Sequence, residues 1–394
     1  MEIVHILARG VEGCGVTKFS VEFRDWCRAN GHTYNMYAPL DKKWSRHKAH
    51  EMDDTCHQWK WGNKPARGQE DFGIEKIVEA CNKADCTFIS SLPSKSHPQE
   101  CIDNYIELLN RVTKPMHMIQ HDHNMQSISR NAALMETIDR ANVIYAFNKE
   151  SKFATYVKAK SGKDIVEYIN GMNMQRIKDK YWKPIEEQDV DHLKWIGRCT
   201  GWKGMDIVFD LANQYKAKYT LEGLEKSIGF VQFRKDFDFH EVNGAFDMDF
   251  QIGKPYVLDP YNHHNMMERL SKCAFGFQLT YLDPRFIKSF LEYTHLEVAA
   301  SGTIPIFRKA YGDACMNPHT GNQLTEDKDT GTLWAPEVGG DMQELMCNIS
   351  KLQRDNVLRD EMRHKAFEYY NQHSHGDYAF NQILNRAAEF VLNQ

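Results

Sequence analysis

The chain predicts an α/β fold: two Rossmann-like domains facing a central cleft, with a C-terminal helical tail crossing back. Three observations predict it. Short apolar runs alternate with longer amphipathic ones from residue 3 to residue 169, the signature of a parallel, doubly wound sheet. A charged stretch containing proline, 182–190, has neither periodicity, and a second α/β series starts at 194. From about residue 341 the pattern is helical throughout and ends in an amphipathic stretch at 378–392. The expected boundaries are an N-terminal domain at 1–180, a linker at 181–192, a second domain at 193–365 and a returning helix at 366–394.

Residues 3–7 read as a buried strand, and a glycine-rich loop at 9–15 leads to a helix at 16–29 with Gly31 just past its end. A strand near 34–38, a helix near 74–82 and a strand at 87–90 follow. A helix at 99–111, a strand at 117–120, a helix around 131–141 and a strand at 143–147 keep the rhythm. Runs at 153–160 and 165–169 complete it. In the second half, strands are expected at 194–197, 219–221, 275–279 and 304–307. Helices are expected at 205–214, 265–271 and 290–300.

At 394 residues the chain is long enough for two domains, each with its own core. Lys and Arg number 49 against 54 Asp and Glu, a net charge of −5, so any polyanion has to meet a local basic surface. Ten cysteines are scattered without C-x-x-C spacing, which predicts free thiols in a reducing cytoplasm. There is no basic leader, and no run approaches the ~20 apolar residues of a membrane helix, so no membrane partner is expected.

Two segments carry the chemistry. Residues 195–204, Trp-Ile-Gly-Arg-Cys-Thr-Gly-Trp-Lys-Gly, end an apolar strand on Gly197 and place Arg198 and Lys203 in a tight loop closed by Gly204. Arg offers a planar fork and Lys a point charge to a diphosphate, and a helix start supplies N–H groups. Solvated loop cations are the bland reading of the same residues. Residues 291–297, Leu-Glu-Tyr-Thr-His-Leu-Glu, open a helix with Glu292 and Glu297. Five positions are ~140° of helical rotation, so the two carboxylates cannot share a face. Glu292 in the entering turn suits sugar hydroxyls and Glu297 suits a ribose diol; dipole-favoured carboxylates are the alternative.

The loop holding Gly13, Cys14 and Gly15 lacks the G-x-G-x-x-G order of dinucleotide sites and reads as a backbone cradle for the donor. Gln120-His121-Asp122-His123 closes a strand, where such sheets hold ligands. There Asp122 could stabilise positive charge at an anomeric carbon or accept a proton. His121 and His123 share a face of an extended chain, but nothing completes a ligand set, and no bound metal is expected. Lys42, Lys43, Trp44, Arg46, Lys48, Lys60 and Trp61 interleave cations with aromatics, which suits a nucleic-acid backbone with bases to stack. A solvated loop is the other reading of that run. Arg130 is assigned to the same surface.

Residues 8–20, Ala-Arg-Gly-Val-Glu-Gly-Cys-Gly-Val-Thr-Lys-Phe-Ser, the Gln-His-Asp-His block at 120–123, Trp195-Ile196-Gly197-Arg198 with Trp202-Lys203-Gly204, Leu-Glu-Gly-Leu-Glu at 221–225 and the 291–297 block closely resemble the T-even bacteriophage DNA α-glucosyltransferases. The resemblance runs nearly end to end, including Gly302-Thr303-Ile304-Pro305 and the helical tail. It implies a retaining GT-B enzyme that uses a UDP-sugar without a bound catalytic metal. The implied acceptor is the hydroxymethyl group of 5-hydroxymethylcytosine in duplex phage DNA, reached by base flipping. It also implies that Arg198 and Lys203 hold the diphosphate, that Glu292 faces the sugar and Glu297 the ribose, and that His121 and Asp122 flank the anomeric carbon and acceptor. The implied setting is the cytoplasm of an infected bacterial host, with the phage replication machinery as a further partner. Segments 44–67 and 234–257 depart from the family pattern, which leaves the donor open between UDP-glucose and UDP-arabinose. A transferase acting on a small molecule, lipid or polysaccharide, and a catalytically silent UDP-sugar- or DNA-binding protein, are the competing functions.

Overall fold

The computed structural model describes residues 1–7, 15–39, 56–59, 74–95, 97–122, 125–198, 204, 206–207, 210–211, 245–251, 254–257, 263–281 and 291–392. The chain divides into two compact units, Met1–Gly171 with Gly376–Gln394, and Met172–His375.

The first unit is built on β1 (Glu2–Leu7), β2 (Thr33–Pro39), β3 (Cys56–Trp59), β4 (Cys86–Ser90), β5 (Met116–Gln120), β6 (Val143–Ala146) and β7 (Ile165–Glu167). They form one sheet in the order β3-β2-β1-β4-β5-β6-β7, and every pair is parallel. The order reverses at β1, which creates a topological switch point beside β4. Strands β4, β5 and β6 are buried at every residue, which is why they read as continuous apolar runs rather than alternating ones. β3 lies inside the stretch read from sequence as a cation–aromatic loop. It is an edge strand, with Cys56 opposite Met36, and four residues give too little periodicity to announce themselves.

Helix α1 (Gly15–Ala29) buries Phe19, Phe23 and Cys27 at helical spacing. It stops where Gly31 takes a φ of 79° and the Gly31 N–H donates to the Arg28 carbonyl, a left-handed C-terminal cap. The helices α2 (Ile74–Lys83), α3 (Gln99–Arg111), α4 (Met125–Ile128), α5 (Leu134–Arg140) and α6 (Lys152–Ser161) follow. Ser151 Oγ caps α6 by accepting from the Ala154 N–H at 3.1 Å.

In the second unit, β8 (Asp189–Arg198), β9 (Ala245–Gln251), β10 (Lys254–Val257), β11 (Cys273–Gln278), β12 (Ile304–Arg308) and β13 (Leu333–Ala335) form a sheet in the order β10-β9-β8-β11-β12-β13. The pairs from β8 to β13 are parallel, and β9 and β10 add antiparallel edges. β8 begins at Asp189, within the stretch read as a linker. The strand expected at 219–221 and most of the helix expected at 205–214 lie outside the described residues.

Described helices of this unit include α7 (Met174–Tyr181), α8 (His263–Leu270), α9 (Tyr293–Ala300), α10 (Lys309–Ala314), α11 (Gln343–Arg354) and α12 (Asn356–Ser374). The chain crosses between units at Gly171–Met172 and again at His375–Gly376, whereas the sequence suggested 181–192 and 365–366. The reason lies in packing: α7 sits against α9 and α12, and Arg363 of α12 donates to the Lys183 carbonyl at 2.7 Å.

The last helix, α13 (Gly376–Leu392), belongs to the first unit. Phe380 packs its ring against Phe19, Phe23 and Trp26 of α1 at 5.6, 5.2 and 5.8 Å. Trp26 Nε1 donates to Asp377 at 2.8 Å, and the Tyr145 hydroxyl to the Ile383 carbonyl at 3.1 Å. No helix among the described residues is long and apolar enough to cross a membrane.

His117, the second residue of β5, is fully buried with neither ring nitrogen hydrogen-bonded. It is surrounded by Phe88, Tyr145 and Phe390 rings at 5.2, 6.3 and 5.9 Å. An imidazole there keeps two polar atoms desolvated without return. His117→Phe should therefore stabilise the protein by about 1–2 kcal/mol at neutral pH, read as a higher denaturant midpoint. A lower midpoint would show that the ring nitrogens do have partners.

Candidate active site

In the first unit, the end of β5 presents His121 and Asp122, both half-buried. Gln120, itself buried, turns back and donates from Nε2 to the Asp122 carbonyl at 2.9 Å. His121 has both ring nitrogens engaged: Nδ1 lies 2.7 Å from the Tyr168 hydroxyl and Nε2 3.1 Å from Ser90 Oγ. The rings of Phe19 and Phe147 close around it at 4.8 and 6.3 Å. Burial lowers His121 to a pKa of about 3, so the ring is uncharged at neutral pH. Ser90 ends β4, and Ser91 beyond it has a φ of 63°. That left-handed conformation costs a non-glycine residue about 1–2 kcal/mol, and such strain gathers at functional strand ends.

In the second unit, Trp195 of β8 pairs with Phe277 of β11, so the end of β8, at Arg198, lies beside the end of β11. Gly204 has a φ of 70°, and a Cβ there would sit 2.1 Å from the Leu279 carbonyl oxygen and 2.5 Å from the Leu279 side chain. Only glycine fits both the backbone conformation and the contact. On the other side of the same strand end, Glu292 is the N-cap of α9. Its carboxylate accepts from the His295 N–H while His295 Nδ1 accepts from the Glu292 N–H at 3.2 Å, a reciprocal capping box. Gln278 Nε2 and the Thr280 and Thr294 hydroxyls donate to Glu292 Oε2 at 3.2, 3.3 and 3.4 Å. Residues 278–280 thus bring the end of the cationic loop and the start of α9 together across a long sequence separation. Glu297, one turn deeper, is 5 % exposed.

Gly204→Ala should destabilise the second unit by at least about 1–2 kcal/mol from backbone strain alone, and weaken UDP binding more than DNA binding. Calorimetry with UDP and a DNA gel shift would separate these; equal loss of both would break the link between this turn and the donor.

Of the remaining predicted residues, Gly15 is the exposed first residue of α1 and Arg130 is exposed after α4. Gly13, Cys14, Lys203, His123 and the basic–aromatic set Lys42, Lys43, Trp44, Arg46, Lys48, Lys60 and Trp61 lie outside the described residues. The first group of site residues belongs to one unit and the second to the other. Sequence reading missed Ser90, Tyr168, Gln278 and Thr280, whose polar groups hold His121 and Glu292. A histidine inside the apolar run of β1, His5, was the one visible signal. Cys27, Cys81, Cys86, Cys101, Cys273, Cys315 and Cys347 are free thiols, and burial pushes those of Cys81 and Cys86 up to about 12.

Residues 14–357 match the family described as DNA alpha-glucosyltransferase. The DNA alpha-glucosyltransferase of Enterobacteria phage T4 is 33% identical over 405 residues, covering 97% of this chain and 98% of that protein. The chain belongs to this family. It is an enzyme, a UDP-sugar-dependent glycosyltransferase with the GT-B α/β fold. Among solved structures, an alpha-glucosyltransferase in complex with UDP-glucose and DNA containing an abasic site is 30% identical with a TM-score of 0.82, covering 98% of this chain and 99% of that one. An alpha-glucosyltransferase in complex with UDP and a 13-mer DNA containing a HMU base is 29% identical with the same TM-score and coverage.

Proposed function

We propose that this family member transfers glucose from UDP-glucose, with retention, to the hydroxymethyl group of 5-hydroxymethylcytosine in duplex DNA, acting in the cytoplasm of an infected bacterial host. The observation that carries the reading is similarity along 97% of the chain to a DNA alpha-glucosyltransferase. Relatives bound to UDP-glucose, and to DNA with a modified or missing base, support it. In this reading Arg198 and Lys203 neutralise the departing diphosphate, Glu292 orders the sugar hydroxyls and Glu297 the ribose, with Gly13, Cys14 and Gly15 completing the donor cradle. Lys42, Lys43, Trp44, Arg46, Lys48, Lys60, Trp61 and Arg130 track the DNA. The target base swings out of the stack to bring its hydroxymethyl oxygen to the anomeric carbon.

His121 is uncharged with both nitrogens held by protein hydroxyls, so it is poorly placed to take the acceptor proton. Front-side attack fits that arrangement. The bond from the anomeric carbon to the diphosphate oxygen breaks, the bond to the acceptor oxygen forms on the same face, and the acceptor proton passes to the leaving diphosphate. Asp122 stabilises the positive charge that develops at the anomeric carbon.

Incubating hydroxymethylated DNA with UDP-glucose or UDP-arabinose, then digesting it to nucleosides for mass spectrometry and anomer assignment, tests this. An α-glucosylated nucleoside is the expected product. Preferred arabinose transfer would change the donor, and a lack of any DNA product would overturn the function.

A further inference from the structure

Five side chains of the first unit form one continuous hydrogen-bonded chain that ends beside Asp122. The Tyr34 hydroxyl lies 2.5 Å from His5 Nδ1, and His5 Nε2 lies 2.7 Å from Ser90 Oγ. Ser90 Oγ reaches His121 Nε2 at 3.1 Å, and His121 Nδ1 reaches the Tyr168 hydroxyl at 2.7 Å. Tyr34, His5, Ser90 and Tyr168 are all buried, and only His121 keeps an exposed edge. The register makes the chain possible, because Leu7 of β1 is level with Ser90 of β4, and Ser90 with Ile119 of β5.

The protons in this chain are not independent. Two neutral imidazoles and three hydroxyls carry five protons, and the four contacts use one each. Each ring has one N–H and one bare nitrogen, so the tautomer of either ring limits what Ser90 can offer the other. Ser90 has one proton, so at most one of the two rings accepts from it, and a ring that does so carries its own proton on Nδ1, toward its tyrosine.

We propose that His5, outside the site itself, is a positioning residue for the transfer reaction: through Ser90 it fixes the tautomer of His121 and thereby sets the ring and the adjoining Asp122. This rests on the reading above that His121 and Asp122 flank the reacting atoms. Removing His5 leaves His121 as the single ring in contact with Ser90 Oγ, so the constraint that fixes its tautomer is lifted.

The test compares imidazole ¹⁵N spectra and transfer kinetics of the full-length protein, His5→Phe and His5→Gln. Phe fills the ring volume without a nitrogen, whereas the Gln amide keeps an N–H toward Ser90. The expected result is a His121 tautomer in the parent that changes in His5→Phe and returns in His5→Gln. In parallel, kcat should fall about 10–100-fold in His5→Phe with the donor KM unchanged, and recover in His5→Gln. An unchanged His121 tautomer in His5→Phe would overturn the proposal, and so would a changed tautomer with unchanged kcat. If His5→Phe does not fold, Ser90→Ala cuts the same link and is read the same way. A parent enzyme inactive on hydroxymethylated DNA would defeat the functional reading alone, because the spectra report the coupling without turnover.

Discussion

Glu292→Ala should reduce sugar transfer by at least about 10²-fold while leaving DNA affinity unchanged. The carboxylate is bound on one side by the α9 cap and on the other by Gln278, Thr280 and Thr294. Its orientation is therefore set before any sugar arrives, which is how a charged acceptor of substrate hydroxyls is made selective. Truncation also removes the cap, at about 1 kcal/mol, so loss of activity in Ala alone would be ambiguous. Glu292→Gln resolves this. Its amide oxygen still accepts from the His295 N–H, so stability should stay near the parent value, but the charge is gone and transfer should remain low. Full activity in Glu292→Gln would show that the residue serves only to cap α9. Equal loss of transfer and DNA binding in both variants would remove its sugar-facing role.

The second large effect is acid unfolding that starts in the first unit. Burial lowers His5 and His121 to pKa values of about 3, with the His121 ring further disfavouring charge on His5, and lowers His117 to about 4. Each would titrate near 6.5 when unfolded. Between these values the unfolded chain binds protons that the folded one refuses, so stability is full above about pH 6.5 and falls as pH drops. One such histidine contributes about 1.4 kcal/mol per pH unit, and three about 4 kcal/mol. Against a total of about 5–15 kcal/mol, the first unit should unfold near pH 5. Among the described residues of the second unit, burial lowers His373 to about 4 and also lowers His364, and that unit should outlast the first. Circular dichroism against pH, with hydrogen exchange to assign the unit, would show this. His117→Phe should move the midpoint to lower pH; an unmoved midpoint would remove that histidine from the account.

Much of the candidate site was legible because its residues sit where strands end. Arg198 follows an apolar run broken at Gly197, His121 and Asp122 follow β5, and Glu292 precedes a run of small and apolar residues. Each is a junction between two periodicities, and junctions are visible in one dimension. The supporting residues were not. His5 looks like a polar interruption of β1, and Ser90 like the last residue of β4. Their partners are 85, 31 and 47 positions away along the chain, and the strand register alone puts them in contact. Strands β3, β10 and β13 were missed because three or four residues are too few to develop a period, and the seven-residue β9 was missed as well.

The order of strands and helices and the two-part division follow from local patterning, because burial of apolar side chains imposes a period on the sequence wherever an element has one face or two to cover. The domain crossings, the return of α13 onto α1, the glycine demanded at 204 by the Leu279 carbonyl and the linkage of His5 to His121 were decided by tertiary packing. They depend on which atoms of distant segments meet, and no local period records a meeting between strands whose register is set by the sheet as a whole.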